Sequence, residues 1–454
     1  MANLSKPLGI KYSCYEVGHT WNPYCLHATK DIAKHGFKEA LKIYTLVYVF
    51  AAIVRKRGLE YYKKQLIPEI LHSSLFLSTN AYSYVAFFCL WRYVFGNIYF
   101  LTTGFLPAAS AALLSICLER KSRRGLLALY VTNLAIETMY RMSVYRKYIK
   151  PVKNGEVLMF SVVSAVFLYL YKSKGGLSTS VASVIRFFVG AEEHADSTED
   201  SYCENEQNLG ASPLKYNSNK YLEYIKSLKK RFEQSPRHPL CKHNDGCIHY
   251  ILRGFSKMAG VGFGLQIAVK LVPNVIRILR KPTLFLQLIW HQNNLKLGAF
   301  LGLFSTVFRG SNCALRWLRQ KDSSVNGFVA GFLAGWSMLC YKSSTLALYS
   351  AMKLLQVLYF KGVEKKAVPH IHWADIFLYT LSTAFIFHVA IFEPHNLRPS
   401  YWKFLLRVTN NKLGEINRQI LNAFQTKASE LLPDFWPNYN PAFTNLIKPD
   451  HLAH

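Results

Sequence analysis

The sequence predicts an all-α fold: a multi-pass transmembrane helical bundle of two tandem pseudo-symmetric repeats, with roughly eight to ten membrane segments. Three observations predict it. Residues 70–91, 93–118 and 323–341 carry no charged side chain, and uncharged runs of about 18 residues or more are long enough to cross a bilayer as helices. The 454 residues hold 55 Lys and Arg against 26 Asp and Glu, a net charge of +29, yet 51% are apolar and only 18% charged. Third, an ordered series of short matches recurs along the chain, the mark of an internal duplication.

The composition narrows the class. The apolar content excludes disorder for most of the chain. The basic residues lie between apolar runs rather than along one exposed face, which argues against nucleic acid as a partner. They suit the headgroups of a lipid bilayer, where each Lys or Arg contributes roughly 1 kcal/mol. A mean hydropathy of +0.08 means that polar loops and tails join the spans.

The matches run in register. Cys25-Leu26-His27 resembles Cys247-Ile248-His249, and Cys89 with Arg92 matches Cys313 with Arg316. Gly104-Phe105-Leu106 recurs as Gly331-Phe332-Leu333, and Leu127-Ala128-Leu129-Tyr130 as Leu346-Ala347-Leu348-Tyr349. Glu156 then pairs with Asp375. The hydrophobic segments of the first half lie near 40–54, 70–95, 98–118, 125–142 and 157–171. Those of the second lie near 258–276, 295–318, 323–341, 343–360 and 376–392. The opening segment of each half is marginal, being short in one and interrupted by Lys270 and Pro273 in the other. Four spans per half make the halves parallel, and five make them inverted, as in many transporters. Basic clusters in successive loops leave the orientation open.

The expected organisation is therefore a first helical repeat with an N-terminal Cys/His segment at 1–190, a linker at 191–236, a second repeat at 237–410 and a tail at 411–454. The linker opens with seven acidic and no basic residues over 191–210. It closes on a basic amphipathic helix at 220–232, suited to a membrane surface. The tail predicts a second amphipathic helix through Leu413, Ile416, Ile420 and Phe424. No apolar stretch of signal-peptide length occupies the first 37 residues, and Leu452-Ala453-His454 is not a peroxisomal tripeptide, so targeting is expected to use internal signals.

Three sets of residues are candidates for function. Gly327, Gly331 and Gly335 leave one helix face bare for close approach of another backbone, as do Gly298 and Gly302. Ionisable residues inside apolar spans are costly and face a bundle interior or water. They are Glu137 and Arg141, which can pair four apart, Lys353, and the matched acids Glu156 and Asp375. The last two suit either a polar path or the positive end of a helix. The third set is His238, Cys241, His243, Cys247 and His249, donors enough for a tetrahedral zinc site. Cys14, His19, Cys25 and His27 stand in the equivalent place in the first half. Otherwise no cofactor is implied. No Gly-x-Ser-x-Gly, phosphate loop or His-Glu-x-x-His occurs, so no enzyme is expected.

Several long strings resemble the transmembrane protein 135 family. They are Cys14-Tyr-Glu-Val-Gly-His-Thr-Trp21, Glu119-Arg-Lys-Ser-Arg-Arg-Gly-Leu-Leu127, Ala330-Gly-Phe-Leu-Ala-Gly335 and Leu397-Arg-Pro-Ser-Tyr-Trp-Lys-Phe-Leu-Leu-Arg407. The second half looks more distantly like the mitochondrial inner-membrane protein-translocase channels and a small peroxisomal membrane protein related to them. The resemblance implies a non-enzymatic, multi-pass protein of peroxisomal and mitochondrial membranes. It further implies a role in mitochondrial fission, with a dynamin-like GTPase as partner, and in fatty-acid and sterol homeostasis. The alternative is a transporter or channel for a lipid or small metabolite, formed by the two repeats.

Overall fold

A computed structural model describes residues 9–194, 236–281, 283–289 and 293–448. The basic amphipathic helix expected at 220–232 lies outside the described residues. Of the described residues, 72% are helical and 1% lie in strands. In chain order the helices are α1 (Cys14–Val17), α2 (Cys25–Val54), α3 (Leu59–Lys64), α4 (Leu66–Phe95), α5 (Phe100–Thr103), α6 (Phe105–Leu118), α7 (Lys121–Tyr145), α8 (Gly155–Tyr171) and α9 (Thr179–Val189). After the linker come α10 (Cys247–Arg280), α11 (Thr283–Ile289), α12 (Asn293–Arg319), α13 (Ser324–Gly335), α14 (Ser344–Glu364), α15 (Ala374–Phe392), α16 (Pro399–Val408) and α17 (Arg418–Leu421). Two short strands, β1 (Gly9–Ile10) and β2 (Ile98–Tyr99), pair antiparallel.

Local chemistry sets the ends. Ser13 and Glu16 form a capping box at the start of α1, satisfying donors that a helix N-terminus leaves open. Gly96, at φ 69°, ends α4 in the left-handed conformation that glycine adopts without steric cost. The Ser343 hydroxyl accepts the Leu346 amide at the start of α14.

The chain divides into two compact units. One comprises the residues up to Pro151 with those from Pro369 onward, and the other runs from Val152 to Val368. In the first unit α2 packs on α4, α4 on α6, and α15 on both α6 and α7. In the second unit α10 packs on α12, α12 on α13, and α8 on both α13 and α14. The packing units therefore differ from the sequence segments 1–190 and 237–410. Helix α8 follows the first set of helices in sequence but packs in the second unit, and α15 follows the second set but packs in the first.

Helices α4 and α13 turn polar or small side chains inward and large apolar ones outward, although α4 also buries Ile70, Phe76, Tyr84, Val85 and Phe88. Helix α4 buries Ser73, Ser74, Ser78, Thr79, Asn80 and Ser83 while exposing Ile67, Leu71, Leu75 and Leu90. The Asn80 amide donates to Ser115 at 3.0 Å and to the Tyr379 hydroxyl at 3.2 Å. Helix α13 buries Gly327, Ala330, Gly331, Ala334 and Gly335, and exposes Val325, Phe328, Val329 and Leu333. Water would drive those large side chains inward. Lipid supplies no such drive, so close packing and polar contacts between helices decide what goes inside.

By length and hydropathy, two helical stretches among the described residues qualify as spans: Phe100–Leu118 and Ala374–Phe392. That falls short of the expected eight to ten. The buried Ser, Thr and Asn lower the hydropathy of α4, and charged residues interrupt α7, α12 and α14. Helix α8, with 17 residues, reaches only about 25 Å at 1.5 Å per residue.

The tail departs from the expected single helix. Leu413, Ile416, Ile420 and Phe424 are all buried in the first unit, but only α17 and a short 3-10 turn form there. Asn410, Asn411 and Gln425 at φ 50°, 63° and 57° break the helical path.

Candidate metal centres and a groove

Four donors converge in the first unit. Cys14 and Cys25 are the first residues of α1 and α2, His19 lies in the turn between them, and Cys89 comes from α4. Their sulfur and ring-nitrogen atoms all lie within 4.8 Å of one another. The His19 ring is fully buried. Its Nδ1 faces the Asn22 carbonyl at 2.7 Å, which fixes Nδ1 as the donor. Its Nε2 makes no hydrogen bond of ordinary geometry and points among the thiols. Burial opposes a charge on His19, but Cys14, Cys25 and the Asn22 carbonyl outweigh it and push its pKa up to about 9. Contacts with Cys14, Cys89 and His19 hold the Cys25 thiol far below the usual range. The tail covers this corner: Asn417 N donates to Val17 O at 3.1 Å, and Thr20 donates to Glu415 O at 2.7 Å.

The second unit repeats the arrangement with Cys241, His243, Cys247 and Cys313. Cys247 is the first residue of α10 and Cys313 lies in α12. Cys241 Sγ is 4.0 Å from Cys313 Sγ, and His243 Nε2 is 3.5 Å from Cys313 Sγ and 3.8 Å from Cys247 Sγ. The Nδ1 of His243 faces the Asp245 carbonyl at 2.6 Å, and its ring stacks on Tyr250 at 4.3 Å. Contact with Cys313, helped by His243 and Arg316 against the cost of burial, lowers the Cys241 thiol to about 3.

These are not quite the donors expected from the local spacing. His238 instead meets the Gln320 side chain at 2.8 Å and the Trp317 ring. His249 pairs with Asp245 at 3.4 Å. His27 packs edge-on against Tyr24. The reason is helical geometry. His27 and His249 each lie two residues beyond a cysteine that opens a helix, about 200° round the axis from it. The fourth donor is supplied from far along the chain. Its sequence signal was the match of Cys89 with Cys313.

The glycines of the two stripes lie close against neighbouring helices. A Cβ on Gly327, Gly331 or Gly335 would meet α8 at Leu168 O (2.6 Å), Ser164 O (2.7 Å) or Ser161 Cα (2.3 Å). A Cβ on Gly298 would meet Ala259 O of α10 at 2.9 Å, and one on Gly302 the Phe255 ring at 3.0 Å. Of the charged residues, Glu137 is buried and accepts from Arg141 at 3.0 Å. It also takes a second guanidinium, Arg398, at 3.1 Å, a partner the sequence did not reveal. Glu156 and Asp375 lie in the first turns of α8 and α15, and the Asp375 carboxylate accepts from the Ile376 amide at 2.9 Å. Lys353 reaches the Gln356 side chain at 2.9 Å.

Two features of the second unit were missed. Arg316, fully buried, grips Glu193 through two bonds of 3.1 and 2.7 Å, and Lys172 and Asp322 complete the network. The other is a half-open groove of about 450 Å³, lined almost wholly by apolar side chains, among them Phe160, Val184, Phe188 and Phe304, with Lys353 at its wall.

These features define a membrane-embedded helical protein with a Cys/His knot in each unit. Residues 11–144 match the N-terminal cysteine-rich region of Transmembrane protein 135. Residues 254–354 match the Tim17/Tim22/Tim23/Pmp24 family. These are the two families the sequence resembled, and neither is a family of enzymes. All four donors of the first knot fall in the first match, and Cys313, Lys353 and the packing glycines in the second. No solved structure matches the chain.

Proposed function

We propose that this chain is a non-enzymatic, multi-pass protein of peroxisomal and mitochondrial membranes that serves fatty-acid and sterol homeostasis by holding a lipid in its second unit. The observation that carries the proposal is the groove beside α8 and α9: about 450 Å³, almost wholly apolar, with the single cation Lys353 among the residues that line it. Apolar walls with one polar group suit an acyl chain ending in a carboxylate, or a sterol with its hydroxyl. On this proposal the two halves are copies of one five-helix set, each lending its fifth helix, α8 or α15, to the other unit. The matched positions in sequence and the like order of helix contacts support it. Regulation of fission through a dynamin-like GTPase is a further part of the proposal, supported by the family resemblance.

The test is photo-crosslinking of the full-length protein in nanodiscs with a diazirine fatty acid and a diazirine sterol. Adducts are expected on the segments 160–188, 300–304 and 346–353, competed by unlabelled lipid and lost in Phe304→Lys. Adducts spread evenly over all lipid-facing helices, without competition, would sink the groove as a binding site.

A further inference from the structure

We propose that each unit holds one structural zinc ion in a Cys3His site, made by Cys14, His19, Cys25 and Cys89 in the first and by Cys241, His243, Cys247 and Cys313 in the second. The size of each knot suits that ion. Zinc bonds of about 2.3 Å to sulfur and about 2.0–2.1 Å to nitrogen, at tetrahedral angles, place ligands roughly 3.8 Å apart for two sulfurs and roughly 3.6 Å apart for sulfur and nitrogen. In the second unit the sulfur pair is at 4.0 Å, and the two sulfur–nitrogen pairs are at 3.5 and 3.8 Å. Edges of that length enclose one ion and leave no room for an iron–sulfur cluster. Three thiols with one imidazole form a soft ligand set that favours zinc over hard cations.

The histidines provide an independent pointer. In both knots Nδ1 faces a backbone carbonyl, Asn22 O at 2.7 Å and Asp245 O at 2.6 Å. A metal-bound imidazole is oriented by just such a bond from its other ring nitrogen. In the first knot the remaining Nε2 is on a fully buried ring, makes no hydrogen bond of ordinary geometry and faces the thiols, a cost that a metal bond removes. Zinc takes thiolates as ligands, so binding displaces whatever thiol protons remain and weakens as the pH falls. Four protein ligands close the coordination shell, which makes these structural rather than catalytic sites.

The position of the donors says what each ion fastens. Cys25 opens α2 and Cys89 lies near the end of α4. Cys247 opens α10 and Cys313 lies near the end of α12. Each ion thus ties the free end of a long helical hairpin, together with the segment leading into it.

Elemental analysis of the purified full-length protein in detergent is expected to give two zinc ions per chain. Cys89→Ser and Cys313→Ser should each leave one, whereas His27→Ala and His249→Ala should leave two. In the unmodified protein the six cysteines of the knots should resist alkylation until a chelator is added. This second measurement decides the matter even if a serine variant fails to fold. Folded protein without zinc and with all six thiols open to alkylation, or with a Cys241–Cys313 disulfide, would overturn the proposal.

Discussion

The Cys313 sulfur lies 3.5 Å from Nε2 of His243, although 70 residues separate them in the chain. A contact that joins a loop to the far end of a helical hairpin constrains a large loop, and removing it should be felt globally. If the proposed zinc is bound there, Cys313→Ser is expected to destabilise the protein by about 4 kcal/mol or more, since loss of a metal is among the mechanisms of the largest single-residue effects. Cys117→Ser, on an exposed cysteine, should change stability by less than about 0.5 kcal/mol. Thermal unfolding in detergent, followed by intrinsic fluorescence, compares the two.

Gly331 touches α8 so closely that a Cβ would lie 2.7 Å from Ser164 O and 3.0 Å from Ala165 Cα. Backbone atoms cannot step aside as a side-chain tip can. Gly331→Leu should therefore abolish the monodisperse peak on fluorescence-detected size exclusion. Leu333→Ala, on the exposed face, should leave it intact. Equal losses would contradict the packing seam.

Glu137 neutralises two guanidiniums, Arg141 and Arg398, from a buried position. Removing one partner of a buried ion pair costs about 3–5 kcal/mol, because the other charge stays behind. Glu137→Gln should lower the melting temperature sharply, and Glu137→Gln with Arg398→Met should recover much of the loss. If Glu137 instead belonged to a transport path, the single variant would melt normally and alter flux alone.

Asp322 lies between α12 and α13 against Lys172 and Arg316. Burial raises its pKa, but these two cations outweigh burial and hold it below its ordinary 3.8. A carboxylate whose folded pKa is depressed contributes stability above its unfolded pKa, and that contribution is lost as the pH falls through the folded value. Melting temperatures measured from about pH 7 down to about pH 3 should drop more steeply for the parent than for Asp322→Asn. Parallel curves would show that Asp322 contributes nothing.

Much of this was legible in the sequence, because glycine spacing and charge-free runs report directly on helix faces. The stripe of Gly327, Gly331 and Gly335 named its own interface, and Glu137 named Arg141 through the four-residue interval. The two Cys/His clusters were half legible. Cys241, His243 and Cys247 were visible as neighbours, whereas Cys313 depended on how α12 folds back on α10. Its match to Cys89 carried that information at long range. Arg398 and Glu193 are unreadable locally for the same reason, since their partners lie more than 100 residues away. The placement of α8 and α15 in different units leaves no mark on local pattern, because residue spacing along one helix reports which face is buried and not which distant helix covers it. The tail helix failed at Asn410 and Asn411, residues that tolerate left-handed backbone.

Everything rests on lipid as the solvent of these helices, and the outward face of α4 and α6 tests that most directly. Benzoylphenylalanine placed at Leu75 or Leu114, both exposed, should on illumination form adducts with phospholipid acyl chains in intact organelles. The chain should then stay in the membrane pellet after alkaline carbonate extraction. A protein that yields no lipid adduct at either position and is released into the aqueous fraction would contradict the claim.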